Sequence, residues 1–227
     1  MTRRIFLTGA NGFIGSHVLA KLLDSGFNVC CAVRTTEKGD NILRDFAAQK
    51  AQVSIAIVPD IVAPEAYNKA VQGSPPFDTV FHTASPFTYK DVSSNLEFLE
   101  PAIKGTMTLL KAVKQHAPSV KRVIWTGSCA SVVDYDNLTS NPPKVLTEKD
   151  WNPVTWEEAV HGDPSKGYRA SKLYAEREGT KSAISLLAKA YLYSMDLYGR
   201  GKASLRLGDS LSAGDVRPSA SLHLQHR

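Results

Sequence analysis

Five short apolar runs, separated by helical periodicity and turn clusters, set the limits on what this chain can fold into. Residues 3–8, 29–33, 52–58, 78–83 and 122–126 read as strands, and most of their residues are apolar, as in strands covered on both faces. After the first run, Ile14, Val18, Leu19, Leu22 and Leu23 recur at helical spacing, so residues 12–25 are a predicted helix closed by Gly26. Residues 36–49 and 92–116 are predicted helices too, the second bent near Pro101. Pro64 is expected to open a short helix to about Val71, which Gly73-Ser74-Pro75-Pro76 ends. A loop rich in Asn, Pro and Trp is expected over 134–163, and a helix from Pro164. Strand alternating with helix predicts an α/β fold, a parallel sheet with helices on both faces. Ligands of such folds bind beyond the carboxyl ends of the strands, near the point where strand order reverses.

Composition narrows the class. At 227 residues, 43% hydrophobic and 22% charged, the chain has the balance of an ordinary globular protein. No run approaches the ~18 apolar residues of a membrane span. The start, Met1-Thr2-Arg3-Arg4, lacks the pattern of a signal peptide. Three cysteines suit a reduced compartment, so a cytoplasmic location is expected. Cys30 and Cys31 are adjacent in a strand and read as packing residues on opposite faces. No Cys/His spacing suits zinc, and no metal site is expected. The net charge of +5 is concentrated late, since residues 179–227 hold seven Lys/Arg against three Asp/Glu. The main body is nearly neutral and has no basic stripe with interleaved aromatics, so no nucleic-acid partner is expected.

Several strand ends carry residues with chemistry. Thr8-Gly9-Ala10-Asn11-Gly12-Phe13-Ile14-Gly15 joins the first strand to the first helix. Glycines there permit a tight turn and close approach of phosphate oxygens to a helix N-terminus; a plain strand–helix turn is the other reading. Arg34 ends the second strand, with Lys38 nearby, where an acid accepting from a ribose 2′-OH would mark NAD. A guanidinium suits a 2′-phosphate instead, pointing to NADP(H), unless both are surface charges. Asp60 and Ile61 follow the third strand, and Asp60 is also a candidate cap for the helix expected at Pro64. Ser128 follows the fifth strand, as a site residue or a turn former. Tyr168 and Lys172 stand four apart on one helical face, where an ammonium beside a phenol favours the phenolate.

The G-x-x-G-x-x-G spacing with Tyr168-x-x-x-Lys172 far downstream resembles the extended branch of the short-chain dehydrogenase/reductase superfamily, the NAD-dependent epimerase/dehydratase family. His82-Thr83-Ala84-Ser85-Pro86, Pro101-Ala102-Ile103-Lys104-Gly105-Thr106 and Trp151-Asn152-Pro153-Val154-Thr155-Trp156 are similar to fungal NADPH-dependent aldehyde and ketone reductases of the methylglyoxal type, and to dihydroflavonol reductase-like proteins. The resemblance implies a Rossmann-type doubly wound sheet, NADP(H) as cofactor and a small carbonyl substrate reduced to an alcohol. It implies Ser128, Tyr168 and Lys172 as catalytic residues. It places the cofactor against Gly9, Asn11, Gly12, Phe13, Ile14, Gly15, Arg34, Lys38, Asp60, Ile61, Thr83, Ala84, Ser85, Tyr168 and Lys172. His82 reads as structural.

The motif pattern is expected to stop after Arg177. Residues 1–178 are read as the nucleotide-binding domain and 179–227 as a divergent basic tail, partly helical and then disordered. On this reading the family's C-terminal substrate lobe is missing, the terminus being altered by splicing, gene prediction or a frameshift, and the fifth strand leaves apolar surface uncovered. The alternative function is then an NADP-binding fragment without turnover. The sequence carries no signal of oligomeric state.

Overall fold

The computed structural model describes residues 3–85, 93–137, 146–147 and 150–186. The strands β1 (Arg4–Thr8), β2 (Asn28–Val33), β3 (Val53–Ile57), β4 (Thr79–His82) and β5 (Arg122–Trp125) fall within a residue of the five predicted runs. They form one parallel sheet in the order β3-β2-β1-β4-β5. The chain starts at the centre, winds outward through β2 and β3, then returns to build the other half. Strand order therefore reverses between β1 and β4, the Rossmann-type arrangement. Thr8 pairs in register with Ala32 and His82, Val33 with Ile57, and His82 with Trp125. The carboxyl ends of all five strands thus meet at one edge.

Side-chain alternation builds a core on each face of the sheet. Phe6, Cys30, Val80, Val123 and Trp125 meet Tyr67 and Phe77, and Leu109 and Val113 from helix α3 (Leu96–His116). Ile5, Leu7, Cys31, Phe81 and Ile124 meet Val18, Leu19 and Leu22 of α1 (Phe13–Asp24) and Ile42 of α2 (Thr36–Asp45). Cys30 and Cys31 are both buried and fall in different clusters, as adjacent strand residues must. The apolar surface expected to lie bare on β5 is covered, since Val123, Ile124 and Trp125 are all buried.

Several elements depart from expectation. The helix predicted over 36–49 ends at Asp45, because Phe46 leaves helical geometry at φ −110°, ψ 39°, and Ala47–Gln52 continue as 3-10 turns. No helix forms over 64–71. Glu65 takes φ 62°, a left-handed conformation that stops helical propagation, and Ala66 and Asn68 make three-residue turn bonds instead. α3 starts at Leu96 and runs through Pro101 to His116; the start expected at 92 lies outside the described residues. The loop expected over 134–163 contains a helix, α4 (Trp156–His161). Thr155 and Glu158 cap it reciprocally: the Thr155 hydroxyl accepts from Glu158 N at 3.2 Å, and Thr155 N donates to Glu158 Oε2 at 2.8 Å. The last described helix, α5 (Pro164–Leu186), begins at the predicted Pro164. The disorder expected in the tail lies outside the described residues.

One core residue is paid for inefficiently. Tyr67 is fully buried with its ring edge-on to Phe6 at 6.3 Å, and its hydroxyl has no hydrogen-bond partner among the described residues. A buried polar atom without a partner destabilises the native state. Tyr67→Phe is therefore expected to stabilise the fold by about 1 kcal/mol. A rise in Tm of about 2–4 °C on thermal unfolding would show it; a fall would contradict it.

Candidate active site

A cavity of about 540 Å³ opens at the carboxyl edge of the sheet, beside the β1/β4 reversal. Ala102 and Thr106 of α3 form part of its wall, and the chemistry-bearing residues come from the other sides. The glycine turn supplies Gly9, Gly12, Phe13, Ile14 and Gly15. The end of β4 supplies His82, Thr83, Ala84 and Ser85. The end of β5 and the facing side of α5 supply Ser128, Cys129, Tyr168, Lys172 and Glu176.

The turn needs glycine for steric reasons. Gly9 has φ +73°, and a Cβ there would lie 2.7 Å from Ala84 N and 2.8 Å from Thr83 Oγ1. A Cβ on Gly15 would overlap the Gly9 carbonyl oxygen, which accepts from Gly12 N at 2.9 Å. Gly12 begins α1 with no side-chain cap, and no acid stands in the first turn. The helix therefore presents unpaired amide donors and its positive end toward the cavity.

A hydrogen-bond cluster locks β1 to β4 behind this turn. The Thr83 hydroxyl donates to Thr8 O at 2.7 Å, and Ala84 N donates to Thr8 Oγ1 at 3.2 Å. Thr8 Oγ1 lies 2.7 Å from His82 Nδ1. Thr8 Oγ1, which also accepts from Ala84 N, thereby ties the His82 ring to β1. Burial holds His82 neutral, pushing it down to about 4, and the Lys172 charge acts in the same direction.

α5 carries Tyr168 and Lys172 with one face in the core, where Ala170 and Leu173 are fully buried. The Tyr168 ring lies edge-on to Phe98 of α3 at 6.4 Å. Lys172 Nζ donates to Ser85 Oγ at 2.7 Å and stands 5.2 Å from the Tyr168 ring centre. Burial in the cavity wall pulls the Lys172 ammonium down to about 8. Ser128 opens a 3-10 turn, Cys129–Ser131, with Oγ accepting from Ala130 N at 3.2 Å. Asn152 buttresses that turn, donating from N to Ser131 O at 2.8 Å and from Nδ2 to Ala130 O at 3.0 Å.

The cavity wall thus brings together Gly9, Gly12, Phe13, Ile14, Gly15, Thr83, Ala84, Ser85, Ser128, Tyr168 and Lys172. Asn11, Arg34, Lys38, Asp60 and Ile61 are not part of it. Arg34 is exposed one residue beyond β2, and Lys38 stands in the first turn of α2, where its N donates to the Thr35 cap at 3.4 Å. Asp60 caps no helix: Oδ1 accepts from Val62 N at 3.0 Å and closes a local turn. Ile61 packs on Gly105 of α3, where a Cβ would come within 2.9 Å of its Cδ1. His82, read from the sequence as structural, also lines the cavity. Glu176 was overlooked, although it follows Lys172 by four residues and so shares the face of Tyr168 and Lys172. Among the described residues no cluster of His, Cys, Asp and Glu could hold a metal ion, and no helix is long and apolar enough to cross a membrane.

Residues 5–204 match the NAD dependent epimerase/dehydratase family. The chain belongs to that family. The family match runs past Arg177, where the motif pattern was expected to stop. Among relatives in this family, ketoreductase azaE of Aspergillus niger is 43% identical over 179 residues, spanning 78% of this chain and 51% of azaE. NADPH-dependent methylglyoxal reductase GRE2 of Saccharomyces cerevisiae is 32% identical over 210 residues, 86% of this chain and 60% of GRE2. The fold is similar to that of Gre2 from Candida albicans, crystallised with NADPH, at a TM-score of 0.78 and 31% identity over 86% of this chain and 57% of that one. The chain spans about half the length of the curated relatives it matches.

Proposed function

We propose that this chain reduces an aldehyde or ketone to an alcohol with NADP(H), using Ser128, Tyr168 and Lys172. The observation that carries the reading is one cavity lined both by the glycine turn and by all three of these residues. Relatives described as an NADPH-dependent reductase and a ketoreductase support it.

The residues present fit the cofactor. The uncapped start of α1, beside the tightly packed Gly9–Gly15 turn that lines the cavity, suits a pyrophosphate. Arg34, exposed beyond β2 at the same sheet edge, suits a 2′-phosphate, with Lys38 close in sequence. The cofactor, when bound, supplies a hydride to the carbonyl carbon. Tyr168 gives its hydroxyl proton to the carbonyl oxygen as charge grows there. Lys172 favours the phenolate left behind, and Ser128 holds the oxygen by a second hydrogen bond. Burial keeps the His82 imidazole neutral, and the Lys172 charge acts in the same direction. The free state of all three cysteines supports a cytoplasmic setting.

The alternative reading is an NADP-binding unit without turnover. Purified chain mixed with NADPH and a panel of aldehydes and diketones separates the two. Substrate-dependent NADPH oxidation supports the first. Thermal stabilisation by NADPH with no oxidation supports the second.

The pH profile carries its own sign. Lys172 holds its proton below about 8 and loses it as pH rises through that value. Its positive charge, and with it support for the phenolate, falls in the same window. Turnover in the reductive direction is expected to decline above about pH 8, and Lys172→Arg to move that decline upward. A kcat profile flat well above that value counts against the role given to Lys172.

A further inference from the structure

Glu176 is a charged cavity residue to which the sequence reading and the family motifs give no part. Glu176 lies on α5 one turn beyond Lys172 and lines the same cavity. Its Oε2 is 2.6 Å from the hydroxyl of Ser131, a residue only 1% exposed. That hydroxyl is also 2.5 Å from the Ser128 carbonyl oxygen, which accepts from Ser131 N at 3.0 Å as well. The single Ser131 hydroxyl proton serves one of these two acceptors at a time, the Glu176 carboxylate on α5 or the Ser128 carbonyl of the turn.

Resting on the carbonyl-reductase reading, we propose that Glu176 is a positioning residue that ties the Ser128 turn to the helix bearing Tyr168 and Lys172. Ser128 reaches the cavity from the end of β5, whereas Tyr168 and Lys172 reach it from α5. Two donors to one carbonyl oxygen must hold a fixed separation, and a small misplacement is costly in rate. Asn152 holds the turn from the side of residues 150–154, through Ser131 O and Ala130 O. Glu176 holds it from α5 itself, so the spacing of Ser128 from Tyr168 is set by a direct bond between the two elements. A hydrogen bond to a charged acceptor is among the stronger ones available for this. Glutamine can make the same tie: its amide donates to Ser131 Oγ and leaves the hydroxyl proton to Ser128 O.

The test uses the full chain with Glu176→Ala, Glu176→Gln, Ser131→Ala and the Glu176→Ala/Ser131→Ala pair. Backbone amide exchange over Ala130–Val133 reads the tie without turnover. It is expected to quicken by about tenfold in both alanine variants and to stay at the wild-type rate in the glutamine variant. In turnover assays kcat is expected to fall by roughly ten- to a hundredfold in the alanine variants, with NADPH affinity unchanged. The glutamine variant restores kcat, and the double variant is no slower than either single one. Unchanged exchange, additive losses, or a glutamine variant as slow as the alanine variant overturns the proposal. If the unaltered chain oxidises no NADPH with any carbonyl, the functional reading fails and this role with it. Failure of this role alone shows instead as unchanged kcat in the variants of an active chain.

Discussion

Tyr168→Phe is expected to lower NADPH-dependent carbonyl turnover by about 10²–10⁴-fold, the range for loss of a positioned general acid. The substitution removes one oxygen and leaves the ring that packs edge-on to Phe98. It leaves Lys172 with its bond to Ser85 Oγ, and it touches none of the glycine turn. NADPH binding, read by the fluorescence of the bound cofactor, should therefore persist while the rate collapses. That split separates loss of a proton donor from loss of the site. Retention of most of the wild-type kcat would sink the assignment of Tyr168, whatever happened to the affinity.

Gly15→Ala is expected to act earlier, on the cradle itself. Its new Cβ would meet the Gly9 carbonyl oxygen, which belongs to backbone and not to a side chain that can swing away. Gly9 cannot yield easily either, being left-handed at φ +73° and hemmed in by Ala84 N and Thr83 Oγ1. The cost is about 1–3 kcal/mol of stability or more, with loss of detectable NADPH binding. Gly12→Ala gives the contrast. There a Cβ sits 3.3 Å from Gly9 O and the backbone φ is −85°, so the fold should survive. Its effect should be confined to weaker NADPH binding, because the methyl group occupies space at the start of α1. Thermal unfolding and NADPH titration of both variants check this. A Gly15→Ala protein that melts and binds like wild type would contradict the steric account.

The strands and the glycine turn were legible because their signals are local and redundant. Each strand is a bounded apolar run, and the turn places its glycines between such a run and an amphipathic helix. Tyr168 and Lys172 were legible for a similar reason, as a spacing that survives on any helix. The missing helix after Pro64 was not legible: Pro64 supplies a start, but Glu65 at φ 62° has no signature in its own residue type. α4 was legible and overlooked, since Thr155 and Glu158 form a capping box inside a stretch read as loop. Asp60 shows the limit of a capping argument. Its side chain does satisfy a backbone donor two residues on, but the donor belongs to a turn. Ser131 could not have been found, because its partner Glu176 lies far along the chain and only folding brings them together.

The placement of the three cysteines has a practical consequence for anyone wishing to watch this cavity. Cys30 and Cys31 are sealed on opposite faces of the sheet, and burial pushes both thiols up, Cys31 to about 12. Cys129, half-exposed, lies in the cavity wall beside Ser128. A thiol-directed dye should therefore attach there first, without engineering. The chain carries its own reporter position, which an occupant of the cavity should shield from the reagent.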